Sequence, residues 1–311
     1  MIINTGQRTD IPAFYAKWFA TRLKEGTVCV RNPFNAGQVS RYLLDPNVVD
    51  VIGFCTKNPE SMMPYMDLLD GFGQVWSVTM TPYGRDIEPN VPEVGKVIES
   101  FRLLSQMLGQ KAVIWRYDPI FLTQRYTEEY HLKAFRKMAS LLENATDTVV
   151  ISFIDLYPKV RRYFPEAKAV PENVKIRLGR QLIAIASEYG MRVKTCGEGD
   201  ILAPYGADAS GCMTISDYER AIGQRLKAPK LKPSREGCSC YLSCDIGAYN
   251  SCEHFCRYCY ANVDRHAVLE NMKRHDPRSP LLIGQLGEDE WVHDVKQVSW
   301  INRQIGFFDN F

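Results

Sequence analysis

Ten cysteines occur in this chain of 311 residues, and six of them fall between Cys238 and Cys259. Three form a tight run, Cys252-Glu253-His254-Phe255-Cys256-Arg257-Tyr258-Cys259, with the spacing C-x3-C-x2-C and an aromatic residue just before the last cysteine. Three thiolates on so short a loop can hold three corners of a cubane 4Fe-4S cluster, and the fourth iron then has no protein ligand. An open coordination site of that kind is what a reaction centre needs. A structural zinc site made from these thiolates with Cys244 or His254 competes with this reading, although zinc sites usually show two paired knuckles rather than one triplet. A disulfide framework belongs to small secreted chains without a core of their own, which the length here argues against.

Cys196, Cys212, Cys238 and Cys240 lie close upstream of the triplet. They are expected to ligate an auxiliary iron-sulfur cluster, with Cys244 as a substitute ligand. The competing reading is that they are buried thiols packing as small apolar groups. Cys29 and Cys55 sit in apolar strand candidates and are expected in the core. His254 is expected to stand beside the cluster without binding it.

The elements that must position these groups follow from the apolar runs. Short β-rich stretches at 2–4, 28–31, 51–55, 75–80, 113–115, 149–154 and 192–195 each precede a polar turn, often one containing proline. Helical stretches at 13–24, 94–108, 127–142 and 176–189 lie between them. Strands alternating with helices predict an α/β fold with a parallel sheet, and at this length a (β/α) barrel; an open doubly wound sheet is the alternative. The expected organisation is a barrel over 1–200, a Cys-rich cluster-binding segment over 201–266, and a tail over 267–311, with a helix at 263–274, packing on the barrel over its mouth or rim.

In a barrel, chemistry gathers where strands end. Arg8, Asp10, Asn32, Lys57, Asn58, Thr79, Thr81, Arg116, Asp118, Asp155 and Glu198 all stand at or just past a strand candidate. Taken singly, most read as turn formers and helix caps. Trp115-Arg116-Tyr117-Asp118-Pro119 is different: a charged pair flanked by aromatics is partly desolvated, so each charge needs a partner. Gly71-Phe72-Gly73 and Gly197-Glu198-Gly199 read as ordinary turns.

The triplet with its aromatic resembles the signature of the radical S-adenosylmethionine enzymes. Its extension Tyr258-Cys259-Tyr260-Ala261-Asn262 resembles the spore photoproduct lyase and DNA repair photolyase branch of that superfamily. Further blocks resemble the family of domain of unknown function 1848: Arg8-Thr9-Asp10-Ile11-Pro12, Arg31-Asn32-Pro33-Phe34, Thr56-Lys57-Asn58-Pro59, Ile87-Glu88-Pro89-Asn90, Trp115 to Ile120 and Asp245 to Asn262. The resemblance implies that Cys252, Cys256 and Cys259 bind the cluster, that its fourth iron chelates S-adenosylmethionine, and that Tyr258 lies near the adenine. With that cofactor, Lys57, Arg116 and Glu88 are the candidates for its carboxylate and ribose, and Arg8, Asp10 and Asp118 for substrate contacts. The superfamily places its triplet after the first barrel strand, whereas here it follows seven strand candidates. The implied barrel is therefore circularly permuted.

Composition narrows the class further. Lys and Arg number 38 against 36 Asp and Glu, a formal charge of +2 that neither favours nor opposes an anionic partner. Charged residues at 24% and hydrophobic ones at 45% exclude wholesale disorder. No apolar run approaches the roughly 18 to 20 residues a spanning helix needs, so no membrane partner and a cytoplasmic location are expected. Basic stretches at 159–180 and 220–235 suit either phosphate contacts or solvated faces. The expected partners are an electron donor, such as a reductase, flavodoxin or ferredoxin, and a substrate that is a nucleic acid, a peptide or a small molecule. The competing classes are a zinc- or cluster-stabilised nucleic-acid-binding module, and an iron-sulfur redox protein that leaves S-adenosylmethionine intact.

Overall fold

A computed structural model describes residues 1–230, 238, 240–242 and 244–302. Six strands form one parallel sheet: β1 (Ile2–Asn4), β4 (Val51–Thr56), β5 (Gly73–Thr79), β6 (Val113–Ile120), β7 (Thr148–Phe153) and β8 (Arg192–Thr195). Their order in space, β1-β4-β5-β6-β7-β8, is their order in the chain. The reversal of strand order that a doubly wound sheet requires is absent from it. β7 is buried at every position, because a parallel strand covered on both faces needs side chains that tolerate burial on both.

The helices cover the sheet between strands. α1 (Ile11–Phe14) and α2 (Ala16–Glu25) follow β1, and a 3-10 helix (Glu60–Leu69) follows β4. α3 (Val94–Leu108) precedes β6, α4 (Glu128–Leu142) precedes β7, and α5 (Pro158–Tyr163) and α6 (Glu172–Glu188) precede β8. Aromatic stacking fixes the core between sheet and helices. Phe54 lies on Trp76 with ring centroids 3.9 Å apart, and Trp115 lies on Phe135 of α4 at 4.7 Å. Such pairs add about 0.5–1.5 kcal/mol beyond their area burial.

The free edge of β1 is occupied by the segment that leads into the cysteine triplet. Asn4 pairs with Asp245 in a parallel bridge; its N–H donates to the Cys244 carbonyl at 3.1 Å and its carbonyl accepts from Ile246 at 2.9 Å. Arg8 clamps this segment from the side, with Nε on the Asp245 carboxylate at 2.9 Å and a second nitrogen on the Asp245 carbonyl. A chain stretch from the C-terminal third thus stands in the sheet ahead of its first strand.

One expectation is corrected. The candidate at 28–31 is part of β2 (Thr27–Asn32), which does not join the parallel sheet but pairs antiparallel with β3 (Asn35–Leu43), itself parallel to β9 (Trp291–Asp294). Asn32-Pro33-Phe34 is a hairpin turn, with the Asn32 carboxamide accepting from the Phe34 N–H at 2.9 Å, and not the start of a crossover. The described part of the tail reaches both ends of the sheet, and beside the cysteine loop the Asn271 amide donates to the Asn250 carbonyl at 3.0 Å. Trp300 N–H donates to Asp50 at 2.7 Å, Ser299 donates to the same carboxylate, and Asp50 immediately precedes β4, so the tail meets the end of the sheet where strands begin. The expected helix at 263–274 forms as α8 (Arg265–Lys273). Residues 231–235 of the basic stretch and 303–311 of the tail lie outside the described residues.

β8 is tied to α7 (Ile215–Ile222) by a buried ion pair. The Lys194 side chain is 0% exposed and Asp217 2%, and the Asp217 carboxylate takes Lys194, Arg192 at 2.8 Å, and the Thr214 N–H at 2.9 Å. Removing one partner of a buried pair leaves the other charge uncompensated, which costs about 3–5 kcal/mol. Asp217→Ala is expected to lower unfolding free energy by about that amount in urea melts, and Lys194→Met with Asp217→Leu to recover most of it. His131 gives a pH dependence. Its Nδ1 faces the Tyr117 hydroxyl at 2.8 Å and its Nε2 the Phe121 carbonyl at 2.9 Å, and burial lowers its pKa from 6.5 to about 4. Above pH 6.5 the ring is neutral folded or unfolded; below it only the unfolded chain takes the proton. Stability should therefore fall as pH drops from about 6.5 to about 4, by about 3 kcal/mol in all, and His131→Gln should flatten that part of the profile.

Candidate functional site

The C-terminal ends of the parallel strands open on one cavity of about 470 Å³, within the range of roughly 300–1,000 Å³ typical of small-molecule sites. Gly6, Gln7 and Thr9 reach it from β1, Cys55 to Lys57 from β4, Thr79 from β5, Arg116 and Asp118 from β6, Ser152 to Asp155 from β7, and Cys196 from β8. Cys212, Cys238, Cys240, Cys252, Cys256 and Cys259 close the other side. All seven cysteines singled out as metal ligands therefore face one space. Gly6 is needed where the chain leaves β1, since a Cβ there would overlap the Cys55 carbonyl and side chain.

The loop carrying the triplet is held by its own backbone. Asn250 N–H donates to the Ala261 carbonyl at 3.0 Å, Cys259 N–H to the Cys256 carbonyl at 3.1 Å, and the Asn262 amide to the Cys252 carbonyl at 2.8 Å. Asn90 grips it from outside through the Glu253 carbonyl at 2.7 Å. Phe255, between the first two cysteines of the triplet, sits at φ 54°, a left-handed conformation that a bulky residue adopts only under constraint. Burial pushes the Cys252 and Cys256 thiols well above their usual range. A bound cation reverses that preference by stabilising thiolate.

A second sulfur group stands apart from the triplet. Cys196, Cys212 and Cys240 place their three Sγ atoms within 4.8 Å of one another. The Cys196 thiol is pushed up to about 12 by its hydrogen bond with Cys212, and the Cys240 thiol to about 11 by its hydrogen bond with Cys196. Cys238 lines the same cavity but lies outside this group.

The charged candidates separate into those that face the cavity and those that are used up beside it. Lys57, Arg116, Asp118 and Tyr258 line it. Burial opposes the charge on Arg116, but Cys212, Asp118 and Cys196 outweigh it and hold the guanidinium firmly protonated. Burial likewise acts against Asp118, and Arg116 and the Ser152 hydroxyl keep its carboxyl below the ordinary range. Glu88 does not line this cavity. A single oxygen of its carboxylate accepts from Lys57 at 3.0 Å, Thr81 at 2.6 Å and the Tyr258 hydroxyl. Arg8 is likewise absent from the wall, being turned onto Asp245. Asp10 reaches the wall, but its oxygens cap α1 through the Ala13 N–H at 3.1 Å, accept the Lys57 N–H at 2.7 Å and meet His254 Nε2 at 2.9 Å. Arg8, Asp10 and Glu88 thus position the loop and its neighbours, and His254 has its inner nitrogen committed to Asp10.

Cys55, expected in the core, packs against a buried cluster and also lines the cavity, because it sits at the strand end. Its position next to Thr56-Lys57 was the available signal. Asp245, Ser152 and Thr9 were not singled out, since an isolated Asp, Ser or Thr carries no spacing signal. Thr9 Oγ1 and Asn262 Oδ1 are buried without a hydrogen-bond partner, in or beside the cysteine wall.

The chain belongs to the family described as Domain of unknown function (DUF1848), whose model matches residues 2–261, from β1 to just past Cys259. No curated protein matches it. The matched stretch contains the whole cavity wall and all ten cysteines. Asp10→Ala deletes a helix cap and strands a backbone N–H and an imidazole, and should destabilise the chain by about 2 kcal/mol in denaturant titrations, with Asp10→Asn intermediate.

Proposed function

We propose that the chain is a radical S-adenosylmethionine enzyme whose 4Fe-4S cluster is held by Cys252, Cys256 and Cys259. The observation that carries the reading is the convergence of this triplet on the cavity at the strand ends of a parallel sheet. The donor set fits: three buried or half-buried thiols, with the nearby His254 occupied by Asp10. The strands form a partial (β/α) barrel in this reading. Residues 244–246, bridged to the free edge of β1, take the part of the superfamily's first strand, and the cluster loop follows them as it should. The permutation is then a change of chain order around the same set of strand positions.

When bound, a reduced cluster supplies the electron that cleaves S-adenosylmethionine to methionine and a 5′-deoxyadenosyl radical, which takes a hydrogen atom from the substrate. Tyr258 and Lys57, with Nζ 5.7 Å from the ring centroid, would hold the cofactor from one side, and Arg116 on the same wall would bind a carboxylate. Asp118, fixed by Arg116 and Ser152, would contact the substrate. The unpartnered Thr9 and Asn262 oxygens are additional polar contacts for a bound ligand. The Tyr-Cys-Tyr-Ala run relates the chain to the photolyase-like branch, so the reaction is lyase-like in this reading. A flavodoxin, ferredoxin or dedicated reductase delivers the electron, and a reducing cytoplasm protects the cluster.

Anaerobically reconstituted protein, reduced with dithionite in the presence of S-adenosylmethionine, should release 5′-deoxyadenosine. Alanine at Cys252, Cys256 or Cys259 should abolish it together with the cluster's electron paramagnetic resonance signal. Reconstituted protein that carries a reducible cluster yet yields no 5′-deoxyadenosine would overturn the reading.

A further inference from the structure

The two sulfur groups facing the cavity differ in size. A single tetrahedral ion with metal–sulfur bonds of about 2.3 Å sets its ligand sulfurs about 3.8 Å apart. Among the described residues, Cys196, Cys212 and Cys240 are the one group of three whose sulfurs lie within 4.8 Å of one another, close enough to move onto a single ion. Cys252, Cys256 and Cys259 do not form such a group, as expected of ligands spread over the corners of a multi-iron cube.

The compact group is also preorganised. Cys196 is fixed by its N–H to the Ile151 carbonyl of β7 at 3.1 Å. Cys212 N–H points at the Cys240 sulfur at 3.2 Å, and the adjacent Tyr241 N–H donates to the Met213 carbonyl at 2.7 Å. The Lys194–Asp217 pair holds the start of α7, just past Cys212, against β8. Three chain segments distant in sequence are thus pinned so that their thiols meet, with Arg116 as a compensating cation on the same wall.

We propose that Cys196, Cys212 and Cys240 bind one zinc ion through three thiolates, leaving its fourth position open to the cavity and to an exogenous donor such as water or a substrate sulfur or nitrogen. Three soft thiolates select zinc over hard cations, and a tetrahedral site with three protein ligands keeps one position for a reactant. Binding displaces the thiol protons and involves no electron transfer. The site does not depend on the radical reading, because its sulfurs are separate from the triplet.

The test uses the full chain with Cys252, Cys256 and Cys259 changed to alanine, stripped of metal and titrated with cobalt(II). One cobalt per chain is expected, with thiolate-to-cobalt charge-transfer absorption and tetrahedral visible bands, both displaced by zinc. The signal should survive Cys238→Ser and be lost on Cys212→Ser or Cys240→Ser. In parallel, zinc should protect Cys196, Cys212 and Cys240 of the unmutated chain from alkylation, read by mass spectrometry, so the result does not rest on the variants folding. Absence of both signals overturns the proposal. So does loss of cobalt binding on Cys238→Ser, which means a closed four-thiolate site, or uptake of several irons with sulfide by the triplet-free variant on anaerobic reconstitution, which means a cluster.

Discussion

The architecture turns on one edge-to-edge contact, the clasp of Asn4 by residues 244–246. A parallel strand edge leaves unpaired N–H and C=O groups that a protein must cover or satisfy. Here Cys244 and Ile246 satisfy those of Asn4, and Arg8 reinforces the contact through Asp245. The same contact delivers the cysteine triplet to the end of the sheet where strands β4 to β8 already point Cys55, Arg116 and Cys196. Asn90, Asp10 and Glu88 then hold the triplet in place through Glu253, His254 and Tyr258.

Electrostatics then decides what the cavity presents. Ionised groups out of water need partners, and the buried ones here pair within the protein: Lys57 with Glu88, Arg116 with Asp118, Arg8 with Asp245, Lys194 with Asp217. Asp10 and Glu88 each gather several donors and so act as knots that hold α1, the turn after β4 and the cysteine loop in register. What lines the cavity is sulfur, tyrosine and hydroxyl together with the paired charges of Lys57, Arg116 and Asp118.

The parallel sheet was legible because β1, β4, β5, β6, β7 and β8 are short apolar runs ended by polar turns, and the cysteine spacing was legible because thiolate chemistry is spacing chemistry. β3 and β9 were not, since Asn35–Leu43 is largely polar and exposed and Trp291–Asp294 is short, so neither shows an apolar period. The assignment of 28–31 to the main sheet failed because a strand followed by Asn-Pro looks alike whether it enters a crossover or a hairpin. Among the site residues, charge at a strand end announced Arg8, Asp10 and Glu88, but type and position do not say whether a carboxylate faces a ligand or its neighbours. That depends on contacts made over 31 to 244 residues of separation, as for Lys57 with Glu88 and Asp10 with His254.

The chain order of the clasp bears on how the molecule is made. Synthesis runs from the N-terminus, so β1 through β8 leave the ribosome, and can begin to pack, before residues 244–262 exist. Residues 244–246 are thus made after every strand of the parallel sheet, and pair along the edge of β1.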